Sequence, residues 1–125
     1  MVSKVLRVEQ SGNILIVIPQ DSEAGFRYGD VQNESNLVLH LFDKPEAKHV
    51  ILDLGSVDLM GSIMIGAIVR LFRKVSNGGG IAVMCGGSEQ MIEVLENMRL
   101  ANLWKILATR DDAIRHIQNA EKENA

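Results

Sequence analysis

The chain has 125 residues, of which 46% are hydrophobic and 23% are charged, and this supports one compact domain with its own core. Its formal net charge of -3 offers no basic field for a phosphate backbone, so nucleic acid is excluded as an expected partner. The most apolar segment, residues 63–72, is far shorter than the roughly 20 residues that cross a bilayer. The N-terminus is charged and alternating, unlike a secretory leader, so we expect a cytoplasmic protein that is not associated with a membrane.

Histidine and cysteine are too sparse to suggest a metal site. His40, His49 and His116 are scattered without ligand spacing, and Cys85 is the only cysteine. One cysteine makes neither an internal disulfide nor a thiol-rich metal site. Because Cys85 lies in an apolar segment, it is typical of a small buried hydrophobe. We therefore expect no metal and no cofactor.

The first third of the chain predicts a hairpin followed by a loop. Residues 5–10 and 14–19 are rich in β-branched side chains and flank the turn-forming sequence Ser11-Gly12-Asn13. Residues 20–30 contain two glycines and show no periodicity, which is typical of a surface loop.

The middle of the chain alternates between helical and strand patterns. Residues 33–42 carry apolar side chains on one helical face and end just before Pro45, which predicts the first helix. Residues 49–54, HVILDL, form an apolar run typical of a strand buried on both faces. In residues 62–75 the apolar positions recur three and four apart, with basic side chains on the other face, which predicts a second helix.

The last third repeats this alternation. Residues 81–85 predict a strand, and the next segment predicts a helix with Met91, Ile92, Leu95 and Met98 on one side. Residues 104–107 predict a final strand, and Thr109 with Asp112 resembles a capping box for a C-terminal helix. We expect one α/β domain over residues 1–120, with a mixed sheet covered by helices, and a frayed tail over residues 121–125.

No enzyme motif is complete. Gly61 and Gly66 bracket four residues, as in a phosphate-binding loop, but Ala67 and Ile68 stand where lysine and a hydroxyl residue are required. Ser62 does not lie in a G-x-S-x-G elbow, and no histidine can be assigned to activate it. We therefore expect a protein that is not an enzyme.

Ser62 stands just before the periodic apolar run, and two interpretations fit this position. A serine there is a good N-cap, because its oxygen can accept a backbone N–H of the first turn. The same helix terminus also favours an anion, so a phosphate on Ser62 would be tolerated within the fold. A phosphate adds about -1.5 to -2 charges, enough to disrupt an interface that had buried a neutral hydroxyl.

The order of elements around Ser62 resembles a known family. The segment HVILDLGSVDLMGSIMIGAIVRLFRKVSNGGG places an acidic and apolar loop, a serine at a helix start and a glycine-rich turn after a strand. Over almost its whole length the chain is similar to anti-sigma-factor antagonists, whose STAS domain also forms the cytoplasmic tails of sulfate transporters. The resemblance implies a small sheet with helices packed mainly on one side.

The family motif at the helix start is typically Asp-Ser-Ser/Thr-Gly-Leu-Gly, and this chain has GSIMIG over residues 61–66. The resemblance places Ser62 at the phosphorylatable serine and Gly66 at the last glycine. Gly61 replaces the aspartate, Ile63 the second hydroxyl residue and Met64 the first glycine. The sequence therefore resembles a divergent member of the family.

The resemblance implies a non-enzymatic regulator that binds an anti-sigma factor acting as a serine protein kinase. Phosphorylation of Ser62 would release it, and the kinase would bring the nucleotide and magnesium. A phosphatase is a further implied partner, and a weak homodimer is allowed. The predicted partner-binding residues are Met60, Gly61, Ser62, Ile63 and Met64, with Asp21, Ser22 and Glu23 in the first loop.

Two alternatives stay open from the residues themselves. In the first, the protein is a constitutive scaffold, Ser62 is only a helix cap, and assembly uses shape and apolar contact. In the second, the protein senses a small ligand in a pocket between the first loop and the second helix.

Overall fold

The computed structural model describes residues 5–20 and 28–123 and begins with the predicted hairpin. Strand β1, Leu6–Ser11, pairs antiparallel with β2, Ile14–Pro19, so that Val8 lies opposite Val17. Gly12 takes a φ of 59° in the turn, a left-handed conformation that glycine adopts without steric cost. The hairpin prediction is therefore confirmed.

Five strands form one mixed sheet in the order β1-β2-β3-β4-β5, and every neighbouring pair after the first hairpin is parallel. The parallel pairs require crossover connections, and these are helical. The elements that follow the hairpin are helix α1, Tyr28–Leu41; strand β3, His49–Asp53; helix α2, Ser62–Asn77; strand β4, Ala82–Cys85; helix α3, Glu89–Asn97; a 3-10 turn, Leu100–Asn102; strand β5, Ile106–Leu107; and helix α4, Arg110–Glu123.

The two faces of the sheet bury separate apolar clusters. Because side chains alternate along a strand, Val50 and Leu52 of β3 face the helices α1, α2 and α3, whereas Ile51 faces α4. The larger cluster lies under the three helices, and Ala113 and Ile117 of α4 close the smaller one. The helices therefore pack mainly on one side, as expected.

Helix α1 begins at Tyr28, five residues before the predicted start, and residues 28–30 are therefore not loop. Its buried face includes the polar residue Glu34, whose carboxylate accepts hydrogen bonds from the N–H groups of Val5 and Leu6. A carboxylate on the buried face interrupts apolar periodicity. For this reason the early turns of α1 do not stand out in the sequence.

Strand β5 is shorter than predicted because Trp104 belongs to the helical layer. Its indole ring meets the Phe72 ring edge-on at a centroid distance of 5.2 Å, and its N–H donates to Ser76 Oγ at 3.3 Å. Met98, predicted on the apolar side of α3, follows the end of that helix and is exposed.

Helix α4 continues to Glu123, beyond the expected domain end at residue 120 and into the expected frayed tail. Glu121 Oε2 accepts a hydrogen bond from Asn13 Nδ2 at 3.1 Å and lies 3.1 Å from Nε2 of the buried His49. These contacts anchor the end of the helix to the β1–β2 turn and to the start of β3. Residues 124 and 125 lie outside the described part. Across residues 5–20 and 28–123, no helix has the length and apolar character needed to traverse a membrane.

Asp112, in the first turn of α4, makes the free energy of unfolding depend on pH. Its N–H donates to Thr109 Oγ1 at 3.1 Å, in agreement with the predicted cap. Hydrogen bonds from Arg115 and then from Thr109 hold the pKa of Asp112 below its ordinary value of 3.8. A carboxyl whose pKa is lowered by folding contributes stability above its unfolded pKa and loses that contribution as the pH falls through the folded pKa.

Asp112→Asn is therefore expected to lower the urea midpoint of unfolding at neutral pH, with the deficit shrinking as the pH falls below 3.8. Ser88→Ala is the matched control, because it removes the uncharged cap of α3, which accepts the N–H of Met91 at 3.1 Å, at a cost of about 1 kcal/mol at every pH. Urea titrations of both variants at a series of pH values measure this. A deficit of Asp112→Asn that is independent of pH would contradict the assignment.

Candidate functional site

The candidate site is the start of α2 and the loop that leads into it from β3, residues 54–61, here called the β3–α2 loop. Gly61 occupies the N-cap position with an extended backbone, φ -80° and ψ 175°, and Ser62 is the first helical residue. The N–H of Ile65 donates to the Gly61 carbonyl at 3.1 Å and closes the first turn. The prediction that Ser62 itself is the N-cap is therefore wrong, because the backbone turns into the helix one residue earlier.

Ser62 presents its hydroxyl to solvent. Gly61, Ser62 and Ile63 are all exposed, and within residues 5–20 and 28–123 no group forms a hydrogen bond with Ser62 Oγ. A Cβ atom added at Gly61 would meet nothing within 4 Å, so the approach to the hydroxyl is open. The first turn of α2 has no acidic residue, and its leading N–H groups have no carboxylate of their own helix nearby.

Two predicted contact residues are buried instead. Met60 is 3% exposed and Met64 is 1% exposed, so the prediction that they form part of the partner surface is wrong. Met64 lies on the apolar stripe of α2 that faces the sheet, and Met60 turns inward beside Leu52 and Ile65. Methionine at helical spacing fills the core because its unbranched chain adapts to irregular gaps.

Leu59 takes the outward position in this part of the loop, with 50% of its surface exposed, and Ile63 is 43% exposed. Together with Gly61 and Ser62 they form the exposed surface at the α2 start, which we call the α2-start surface. Leu59 was missed because a loop has no periodicity from which side-chain direction can be read. Asp21, Ser22 and Glu23 lie outside the described residues.

The β3–α2 loop is held at two points. At its beginning the N–H of Gly55 donates to Asp53 Oδ1 at 2.9 Å, and the N–H of Leu54 donates to the Cys85 carbonyl at 2.8 Å. In its middle, Ser88 Oγ donates to the Asp58 carbonyl at 2.7 Å. The loop therefore presents Ser62 from a framework tied to β4 and to the start of α3.

The Cys85 thiol, on the strand beside the β3–α2 loop, is not activated. Burial, and then the nearby Asp53 carboxylate, raise the pKa of Cys85 to about 12, so its thiol is protonated at neutral pH. Within the described part of the chain, no three His, Cys, Asp or Glu side chains come together as a metal site would require. Clefts of about 470 Å³ and 410 Å³ lie by the C-terminal end of α1, away from Ser62.

Comparison with known proteins identifies the family to which this architecture is similar. The family model of the STAS domain matches residues 6–113. None of the curated proteins matches the chain.

Solved structures share the fold at low sequence identity. A Thermotoga maritima protein, described with reservation as an anti-sigma factor antagonist, is 19% identical, with a TM-score of 0.79 over 90% of this chain and 94% of its own. An anti-sigma-factor antagonist (STAS) domain protein from Planctomyces limnophilus is 20% identical, with a TM-score of 0.79 over 92% and 99%. The phosphorylated Bacillus cell fate determinant SpoIIAA is 15% identical, with a TM-score of 0.71 over 90% and 99%. Because the family model covers most of the length, the chain belongs to the STAS domain family.

Proposed function

We propose that this protein is a non-enzymatic, cytoplasmic regulator that binds an anti-sigma factor acting as a serine kinase and is released when Ser62 is phosphorylated. The observation that carries the proposal is the exposed Ser62 hydroxyl at the first residue of α2, with an open approach over Gly61. The similarity of the fold to anti-sigma-factor antagonists supports the class of partner. The Bacillus relative, which was solved in a phosphorylated form, supports the type of modification.

The α2-start surface supplies the contact in this proposal. Leu59 and Ile63 are large apolar side chains with about half of their surface in water, and they flank the serine along the chain. A partner that covers them removes apolar area from water, which is favourable at roughly 25 cal/mol per Å². Burying the uncharged serine hydroxyl in the complex costs little free energy, provided that it keeps one hydrogen bond.

Phosphorylation acts differently on the fold and on the interface. The phosphate is compatible with the fold, because unpaired N–H groups and the positive end of the helix dipole lie beside it. In the interface the same group brings about -1.5 to -2 charges next to two apolar side chains, and desolvating it is costly. The kinase supplies ATP and magnesium, and a phosphatase restores the binding form.

Phosphate mapping tests the site. Incubation with an anti-sigma-factor serine kinase from the same organism, ATP and Mg²⁺ is expected to add one phosphate, which mass spectrometry locates on Ser62. Ser62→Ala should abolish the modification, whereas Ser56→Ala, which changes an exposed serine of the same loop, should leave it intact. Phosphate that persists in Ser62→Ala would remove the site assignment.

One observation favours a second function. Ile63 is exposed next to Ser62, and it puts an apolar side chain where a hydroxyl would otherwise offer a second acceptor. A constitutive scaffold would bind its partner through Leu59 and Ile63 and ignore the state of Ser62. An unmodified Ser62 after full kinase treatment, together with a stable complex, would favour this scaffold.

A further inference from the structure

Arg110 is the first residue of α4. Its side chain extends along the sheet and contacts residues of both β3 and β1. Its Nε and Nη2 lie 2.9 Å and 2.8 Å from Asp53 Oδ2 at the end of β3, and its Nη1 lies 2.5 Å from Glu9 Oε2 on β1. Because β2 lies between β1 and β3, the guanidinium spans the face of β2. The Arg110 side chain is 34% exposed and that of Asp53 is 17% exposed, so water screens this group only in part.

Asp53 divides its two oxygens between Arg110 and the β3–α2 loop. Oδ2 accepts the hydrogen bond from Arg110 Nε and lies 2.8 Å from Nη2, and Oδ1 accepts the N–H of Gly55. On the other side of Asp53, Gly86 takes a φ of 72°, and a Cβ atom added there would lie 3.4 Å from Oδ1. The carboxylate is therefore fixed in one orientation by partners on several sides.

We propose that Arg110 is a positioning residue for the β3–α2 loop, which leads to Ser62, and that it acts through Asp53. A charge-assisted hydrogen bond from a guanidinium holds a carboxylate more firmly than a neutral contact does. With Oδ2 held, Oδ1 stays directed at Gly55, and the loop leaves β3 along a single path. The effect on partner binding rests on the proposed function, whereas the effect on the loop does not.

The second anchor of the loop makes the idea testable. Ser88 holds the Asp58 carbonyl from α3 and does not involve α4. The other end of α4 is held through Glu121, which contacts Asn13 and His49 far along the helix from Arg110. Glu121→Gln therefore weakens the attachment of α4 without touching Asp53, and it is the matched control.

Amide hydrogen exchange on the full chain measures how firmly the β3–α2 loop is held. Arg110→Gln is expected to raise the exchange rate of the Gly55 amide, and of its neighbours up to the Ser88 anchor, by about tenfold. Asp53→Asn should have a similar effect, because its amide oxygen can still accept from Gly55 but no longer carries the charge that holds Arg110. The double variant should exchange no faster than the faster single variant, since both changes break one pathway.

The control separates positioning from general destabilisation. Glu121→Gln is expected to leave exchange at Gly55 unchanged even where thermal unfolding shows an equal or larger loss of stability. Equal increases at Gly55 in Glu121→Gln and Arg110→Gln, an additive double variant, or no change in Arg110→Gln would each overturn the proposal. If one variant fails to fold, Arg110→Lys replaces it, and this conservative change should restore part of the protection.

The kinetics of Ser62 phosphorylation test whether the position of the loop matters for partner binding. With the kinase that phosphorylates the wild-type chain, Arg110→Gln is expected to raise the KM for Ser62 phosphorylation about fivefold while kcat stays level, because the loop must become ordered on binding. A wild-type chain that is neither bound nor phosphorylated would overturn the proposed function. In that case the exchange cycle still decides the role of Arg110 in positioning the loop.

Discussion

Ser62→Asp is expected to weaken binding to the kinase partner by about 100-fold or more, which corresponds to about 2.7 kcal/mol. The reason is that the complex would bury a carboxylate between the exposed side chains of Leu59 and Ile63. Stability should change in the opposite direction. Since the first turn of α2 has no acidic residue, an aspartate there meets the helix dipole and raises the free energy of unfolding by about 0.5 kcal/mol.

Two control variants isolate the charge and its position. Ser62→Asn has a similar shape without charge and should retain most of the affinity. Ser56→Asp places the same charge on an exposed position earlier in the loop and should also bind. Titration calorimetry for binding and urea unfolding for stability provide the two measurements. Equal affinity of wild type and Ser62→Asp would refute the switch and favour the scaffold.

Phe72→Ala is expected to lower the free energy of unfolding by about 4 kcal/mol, a larger loss than substitutions at the surface of the domain produce. Phe72 is fully buried in the cluster between α2, α3 and the sheet, and its ring meets Trp104 edge-on. The substitution removes the apolar side chain, leaves a cavity and removes the aromatic pair. Domains of this size have a total stability of about 5–15 kcal/mol, so the variant should be close to its folding limit.

Phe42→Ala is the control, because Phe42 is a half-buried phenylalanine just after α1. It should lose less than about 2 kcal/mol. Urea unfolding followed by circular dichroism measures both variants, and the emission of Trp104, the single tryptophan, reports directly on loss of the ring contact. A loss below about 1 kcal/mol for Phe72→Ala would show that the surrounding side chains collapse into the space.

Much of the architecture could be predicted from local pattern. The hairpin, the buried β3 run and the amphipathic α2 each carry a periodicity that depends only on neighbouring residues. The cap at Thr109 is equally local, because its partner is three residues away. By contrast, the start of α1 was missed because its buried Glu34 is satisfied by the N–H groups of Val5 and Leu6, which are distant in sequence.

At the candidate site, the sequence determined that a serine stands where an apolar helix begins, and the exposure of Ser62 is compatible with a contact role. Tertiary structure alone decided that Met60 and Met64 turn inward and that Leu59 and Ile63 turn outward. It also brought Arg110 to Asp53, 57 positions apart in the chain. Turns and periodicities are set by neighbouring residues, whereas the direction of a loop side chain and the partner of a charge depend on which distant elements pack beside them.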